Sequence, residues 1–440
     1  MPASRTLPSR WTLPSGWTLP GRLFPRPASA WIRAGLVAVN VAAVVFYLLS
    51  FRHGIEFGPH REDLAVYRMG GRVWLRGGYL YRQPRGPGGR LRLPFTYPPV
   101  AAVLFSLAWL APALAAVVAD TLAAIALLGV VLRIFLLRLA GRAGASLWAL
   151  AWLMPAALFI EPVRSELSLG QINIALMALV TADCLARFPG RSRGALTGLA
   201  AAIKLTPLAF VLFFLLRRDY RAAATAVLAF AAVTGVGFAL AWHDSVRYWT
   251  AVIFQASRVG GLAYAGNQSL LGALARAGFD PASTTGLAVW LGLCLAVLAV
   301  TVTGMRRALA ASEDGWALSL NALASLLVSP ISWSHHWVWI VPALLTLAVL
   351  SGRCRSRLWA AITLAGVAVF AAGPQWWFPS GAGRELRWAA WEQIAGSSYV
   401  LFALVVLVLS GYAGTTITRA GSAVPTRPCR AIPGQGNALA

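Results

Sequence analysis

The stretch ISWSHHWVWIVP, Ile331 to Pro342, sets two of the chain's five histidines side by side among tryptophans, at the mouth of an apolar run. Imidazole donates, accepts or relays a proton near neutral pH, so such a pair is a candidate for substrate contact. Successive helix positions point about 100° apart, so one of His335 and His336 faces a given site while the other packs. Ser332 lies within one turn of both. An interfacial belt of Trp333, Trp337 and Trp339, with the histidines at headgroup depth, explains the same residues equally well.

A second signal is Lys204, the only lysine in the chain. It sits in GLAAAIKLTPLAF with about ten mostly apolar residues on either side. An ionisable group at that depth costs at least ~2.5–3.5 kcal/mol, which favours a functional role over snorkelling. Where all other basic side chains are arginines, a compact ammonium suits a phosphate. A third is the polar cluster EPVRSELSLGQIN, with Glu161, Arg164, Glu166, Gln171 and Asn173 around one short turn. It can bind a hydroxyl-rich ligand or cap the two flanking helices, and capping is the commoner use of any single member. Glu62 and Asp63 fall in the first long polar segment, where composition alone leaves them as solvated carboxylates.

These residues need elements to carry them, and composition says which. The chain is 58% hydrophobic and 12% charged, against roughly 45–50% and 25% for soluble domains. It reads as an all-α, polytopic integral membrane protein. Apolar runs near 31–51, 114–137, 146–160, 171–186, 194–216, 222–242, 286–304, 317–330, 337–350, 358–372 and 397–413, with a shorter one at 98–110, predict roughly ten to twelve spans. Pro207 leaves 194–216 as either one crossing or two half-helices. Residues 1–30 read as a disordered basic tail, 31–413 as the transmembrane domain and 414–440 as a disordered tail. Leu64, Tyr67, Val73, Trp74, Leu80 and Tyr81 are spaced like one or two amphipathic helices on the membrane surface.

The net charge of +24 comes from arginines scattered through loops and tails, which fits positive-inside anchoring and not nucleic-acid binding. Arg217, Arg218 and Arg221, Arg306 and Arg307, and Arg353, Arg355 and Arg357 mark cytoplasmic loops. They place 243–285, the histidine pair and 373–396 on the outer side. The loop after the first span carries about nine arginines, and the same rule taken alone would put it inside. Cys184, Cys294, Cys354 and Cys429 show no metal or disulfide spacing. No metal set, cofactor motif or Gly-rich phosphate loop is evident.

In order, DLAVYRMGGRVWLRGGYLY, LPFTYPPVAAVLF, LGQINIALMALVTADCLA, GLAAAIKLTPLAFVLFFLLRRDYRAA, NQSLLGAL and SPISWSHHWVWIVPAL resemble the successive blocks of glycosyltransferase family 87. No single block is specific; the set, from about Asp63 to Leu344, is. The resemblance implies a GT-C type membrane glycosyltransferase of the plasma membrane, needing no cofactor, whose catalytic Asp lies in the first outward loop. Carried over, that residue is Asp63, which places its loop outside and the tail with Arg5, Arg10, Arg22 and Arg26 in the cytoplasm. RQPRGPGGRLR before FTYPP departs from the family pattern at a place that bears on acceptor recognition.

The implied reaction is inverting transfer of mannose from polyprenyl-phosphate-mannose to a hydroxyl of a cell-envelope glycolipid or lipoglycan, at the outer membrane boundary. Asp63 would be the general base. The leaving group is a phosphate, so charge and hydrogen-bond donors can replace acid catalysis. Lys204, His335, His336 and Arg164 are the candidates there, with Glu161, Gln171, Asn173, Asn267 and Gln268 as further substrate-binding residues. A pentose on the same carrier is an alternative donor. A transporter would more typically show two related halves, and none is evident; a non-catalytic scaffold would tolerate loss of Asp63 and Lys204.

Overall fold

The computed structural model describes residues 29–49, 61–82, 93–186, 192–255, 258 and 260–412. Both expected tails, apart from Ser29 and Ala30, lie outside these residues, as do Cys429 and all of RQPRGPGGRLR but Arg82.

The described residues form α-helices joined by turns, 3₁₀ segments and longer loops. In order these are α1 (Ala30–Leu49), α2 (Glu62–Leu75), α3 (Pro99–Leu110), α4 (Ala113–Gly144), α5 (Leu147–Phe159), α6 (Glu161–Leu169), α7 (Asn173–Leu185), α8 (Ala195–Ile203) and α9 (Val211–Leu216). There follow α10 (Tyr220–Leu240), α11 (Trp242–Thr250), α12 (Leu270–Arg276), α13 (Thr284–Ala310), α14 (Asp314–Val328), α15 (Ile340–Cys354), α16 (Arg357–Ala372), α17 (Ala390–Gly396) and α18 (Ser398–Tyr412). Their starts follow capping chemistry. Ser146, Asp219, Ser269, Ser283 and Ser356 each accept a backbone N–H in the first turn. Asp183 caps α8 from a neighbouring helix, accepting from the N–H groups of Gly194 and Thr197 at 2.9 Å each.

Every apolar run predicted to span becomes helical, but fewer are unbroken crossings than the sequence suggested. Among the described residues six helices are long and apolar enough to cross a membrane. Two bent pairs, α5 with α6 at 75° and α17 with α18 at 67°, raise that to eight. The remaining runs are shorter apolar helices. Hydropathy records that a stretch is apolar but not that its helix stops partway. The 194–216 run is such a case: α8 ends at Ile203, Lys204 is extended at φ −147°, and a 3₁₀ turn over Thr206–Phe210 leads into α9. Packing separates core from periphery. The segment Ser334–Cys354 is 78% buried, whereas Ala30–Leu49 is 17% buried and turns Val37, Val41 and Val45 outward. α8 lies directly on α10, where a Cβ at Gly194 or Gly198 would come 2.0 Å and 2.3 Å from the carbonyls of Ala222 and Ala226. This is the small-residue approach that lets membrane helices pack closely.

Charge separates the two ends of the bundle. Arg138 and Arg217 meet Asp314 at 3.0 Å and 2.6 Å, and Arg353 meets Glu313 at 2.8 Å and donates to the Leu139 carbonyl. α15 runs from the histidine pair at one end to Arg353 at the other, roughly 22 Å at 1.5 Å per residue. The basic loops and the histidines therefore lie on opposite sides of the apolar slab. The expected orientation can be checked by cysteine labelling in an active, cysteine-free background. Cysteines at Ala282 and Ala390, both exposed and at the histidine end, should react with an impermeant thiol reagent in intact cells, and one at exposed Arg357 should not. The reverse pattern would invert the protein in its membrane.

Candidate active site

The first turn of α2 carries Glu62 and Asp63, where the helix dipole favours negative charge. α2 is fixed from three directions. Arg61 precedes it in a left-handed conformation at φ +46°, a backbone that a non-glycine residue adopts only when its surroundings impose it. Its guanidinium meets Asp120 at 3.3 Å and Thr121 at 2.9 Å on α4, and its N–H donates to the Ser168 carbonyl at 3.1 Å. Gly70 and Gly71 lay α2 on α3 and the chain before it: a Cβ at Gly71 would sit 2.6 Å from Ser106 Cα, and one at Gly70 would sit 2.5 Å from the Phe95 ring. At the end of α6, Gly170 takes φ +67° and passes so close to α2 that a Cβ would be 2.8 Å from Leu64 Cβ.

That crossing delivers Gln171 beside Asp63, near enough to favour its charged form. The Gln171 Oε1 accepts from Tyr67 at 2.7 Å and from Tyr97 at 3.2 Å, and the two hydroxyls lie 2.8 Å apart. With its oxygen engaged by the tyrosines, the amide keeps its N–H group free to donate. Burial raises the Asp63 pKa above the ordinary carboxylate range and nearby Glu62 adds to this, while Gln171 and Lys204 oppose it.

Lys204 owes its position to the break after α8. The backbone turns there and sends Nζ to Asn173 Oδ1 at 2.7 Å and to His336 Nε2 at 3.2 Å. Tyr97 presents its ring 5.6 Å away. Asn173 also donates from Nδ2 to Glu166 Oε2 at 2.8 Å, and Glu166 Oε1 caps α7 by accepting from Ile174 N–H at 3.0 Å. A buried carboxylate and a buried ammonium thus share one amide, satisfying both without direct contact. An ammonium has three N–H groups, so one is left for a ligand. The bond to His336 Nε2 requires that atom to accept, which places the ring proton of a neutral His336 on Nδ1. His335 differs: its Nε2 is buried without a protein partner.

Asp63, Glu62, Gln171, Lys204, His335 and His336 line one cavity of about 620 Å³, a size that accommodates a small-molecule substrate. α2 contributes its carboxylates, and Lys204, Arg258 and the histidines contribute its basic groups. Glu161, Arg164, Asn267 and Gln268 are not on its lining. Glu161 instead accepts from Tyr399 Oη at 2.6 Å and Trp376 Nε1 at 2.8 Å, and Arg164 donates to the Ala371 carbonyl. Asn267 binds the Ser332 N–H and the Leu262 carbonyl, and Gln268 the carbonyls of Ala265 and Gly396. These four hold loops together and do not reach into the cavity. Sequence reasoning missed Tyr97, Tyr264, Trp333 and Trp376 as cavity-lining residues. Tyr97 was within sight in FTYPP, whose prolines start α3 and fix the tyrosine before it.

The sequence profile of glycosyltransferase family 87 matches residues 95–330. The chain is 43% identical over 427 residues to the polyprenol-phosphate-mannose-dependent alpha-(1-2)-phosphatidylinositol mannoside mannosyltransferase of Mycolicibacterium smegmatis, covering 89% of this chain and 94% of that one. It is 42% identical over 434 residues to the protein of the same name from Mycobacterium tuberculosis, covering 90% and 99%. Among solved structures it matches ArnT from Cupriavidus metallidurans bound to undecaprenyl phosphate, at 18% identity and a TM-score of 0.39 over 89% of this chain and 78% of that one, a likeness too distant to carry an inference. With a profile match over half its length and relatives above 40% identity along nearly all of it, this membrane protein belongs to glycosyltransferase family 87.

Proposed function

We propose that the protein transfers mannose from polyprenyl-phosphate-mannose to a hydroxyl of a mannosylated phosphatidylinositol lipid, with inversion, at the outer face of the cytoplasmic membrane. The observation that carries this reading is one cavity that brings carboxylates together with the chain's sole lysine and a histidine pair. In-line displacement at an anomeric carbon calls for that arrangement.

Asp63 takes the proton from the acceptor hydroxyl as its oxygen bonds to the anomeric carbon. On the opposite side the bond from that carbon to the phosphate oxygen breaks, releasing polyprenyl phosphate with an added negative charge. The free N–H of Lys204 and the His335 ring receive that charge, preorganised by Asn173 and His336. His336, whose Nε2 is engaged by Lys204, orients the ammonium. A single displacement converts a β-linked donor into an α-mannoside. Tyr248, Val252 and Ile253 line an apolar margin of the cavity beside α11, whose Trp242 is exposed, and give the isoprenoid a path to the bilayer.

Purified protein supplied with radiolabelled polyprenyl-phosphate-mannose and a phosphatidylinositol mannoside extract should yield a longer lipid whose new residue is released by α-mannosidase. Transfer from a polyprenyl-phosphate pentose with mannose inert would reassign the donor, and no transfer from either would remove the proposal.

A further inference from the structure

The cavity has an aromatic wall that the chemistry of transfer does not use. Tyr264, Trp333 and Trp376 come from three separate loops and meet edge to face, Tyr264 lying 5.8 Å from Trp333 and 6.0 Å from Trp376 between ring centroids. All three line the cavity, and Trp376 and Tyr264 remain 40% and 37% exposed. Rings that only filled a core would be covered, and rings facing lipid would not open onto a cavity that also holds carboxylates, a lysine and histidines.

Their orientation is enforced. Trp376 donates its indole N–H to Glu161, a buried carboxylate that also accepts from Tyr399 and, at 3.5 Å, from Gln375. Committing a carboxylate and two further polar side chains to one indole is costly unless the ring's position matters. Three glycines make room. A Cβ at Gly260 would meet the Trp333 ring at 2.9 Å, one at Gly266 the Trp376 ring at 3.1 Å, and one at Gly373 Glu161 at 2.9 Å. Trp377, next in sequence, is 63% exposed and off the cavity, donating to the Ala372 carbonyl.

The wall shares its cavity with the carboxylates of α2. Burial holds the Tyr264 hydroxyl above its usual range, and the charges of Glu385 and then Glu62 add to this. Glu62 and Asp63 of α2 line the same cavity as the three rings. In a displacement with inversion the acceptor enters from the side of the base, opposite the departing phosphate. Flat apolar rings beside polar groups suit the C–H face of a pyranose, whose hydroxyls remain free for hydrogen bonds.

Building on the mannosyltransferase reading, we infer that Trp376, with Tyr264 and Trp333, forms an acceptor-sugar subsite that stacks the terminal mannose of the acceptor, and that Glu161 is a positioning residue acting through Trp376.

The test measures binding and turnover in detergent-solubilised full-length protein, using octyl α-mannobioside as the acceptor-side probe and undecaprenyl phosphate as the donor-side probe. Trp376→Ala should weaken the mannobioside by roughly tenfold, about 1.4 kcal/mol, raise the acceptor KM similarly, and leave the undecaprenyl phosphate Kd unchanged. Trp376→Phe should recover most of the affinity, and Trp377→Ala should match the parent. Glu161→Gln should weaken the mannobioside in the parent and add nothing in the Trp376→Ala background, the non-additivity expected of two residues acting as one. Unchanged mannobioside binding in Trp376→Ala, or a loss confined to undecaprenyl phosphate, would overturn the subsite while leaving mannose transfer standing. If the parent transfers no mannose yet binds mannobioside through Trp376, the donor reading falls and the subsite survives.

Discussion

Asp63→Asn is expected to keep the protein in the membrane, keep its affinity for undecaprenyl phosphate and lose turnover by ~10²–10⁴-fold, the usual contribution of a general base. Asn matches Asp in shape, and in the Gln171 setting it exchanges a proton acceptor for a neutral amide. Its carboxyl is held above the ordinary range by burial, so the acid limb of the pH–rate profile should lie above roughly 3.9, the unperturbed Asp value. Below that limb the group is protonated and cannot act as a base. Glu62→Gln removes a like charge that contributes to the upward shift. It should move the limb to lower pH and leave the plateau rate within about tenfold of the parent, or 1.4 kcal/mol in barrier. An active Asp63→Asn beside an inactive Glu62→Gln would shift the base by one residue.

Lys204→Gln should reduce donor kcat/KM by ~10²–10³-fold, the range found when one preorganised donor to a developing oxyanion is lost. Affinity for undecaprenyl phosphate should fall with it. Lys204→Arg should recover little, because the planar guanidinium does not fit a seat set by Asn173 Oδ1, His336 Nε2 and the Tyr97 ring. Removing the ammonium also leaves Glu166 without its compensating charge, so thermal stability is to be measured alongside. Normal turnover with a lowered melting temperature would make Lys204 a structural partner of Glu166 and nothing more.

How much of this was legible depended on whether a signal was local. Membrane embedding and helix positions follow from composition, and the isolated lysine stood out because burying its charge is costly whatever surrounds it. Its partners were not legible: Asn173 and His336 lie 31 and 132 residues away, and no periodicity links them. EPVRSELSLGQIN was read as one polar cluster, yet it divides. Glu161 and Glu166 share a helix but, five positions apart, point about 140° from each other. One reaches Trp376 and Tyr399, the other Asn173. Asn267 and Gln268 show the reverse, since polar side chains in a loop serve the loop's own backbone groups as readily as a ligand. Trp376 went unnoticed because a loop tryptophan near a membrane boundary already has an ordinary explanation.

The attachment of α2 bears on how such enzymes diversify. Its carboxylate is placed by contacts made within the bundle: the Arg61 guanidinium on α4, the glycine pair against α3 and the Phe95 ring, and the crossing at Gly170. None of Arg61, Gly70, Gly71 and Gly170 is among the residues that line the cavity. Substitutions there can therefore misplace the reacting carboxylate without touching a substrate. Selection for catalysis is felt at bundle positions remote from the sugar, and a designer who alters specificity would keep those four fixed while changing the residues that face the cavity.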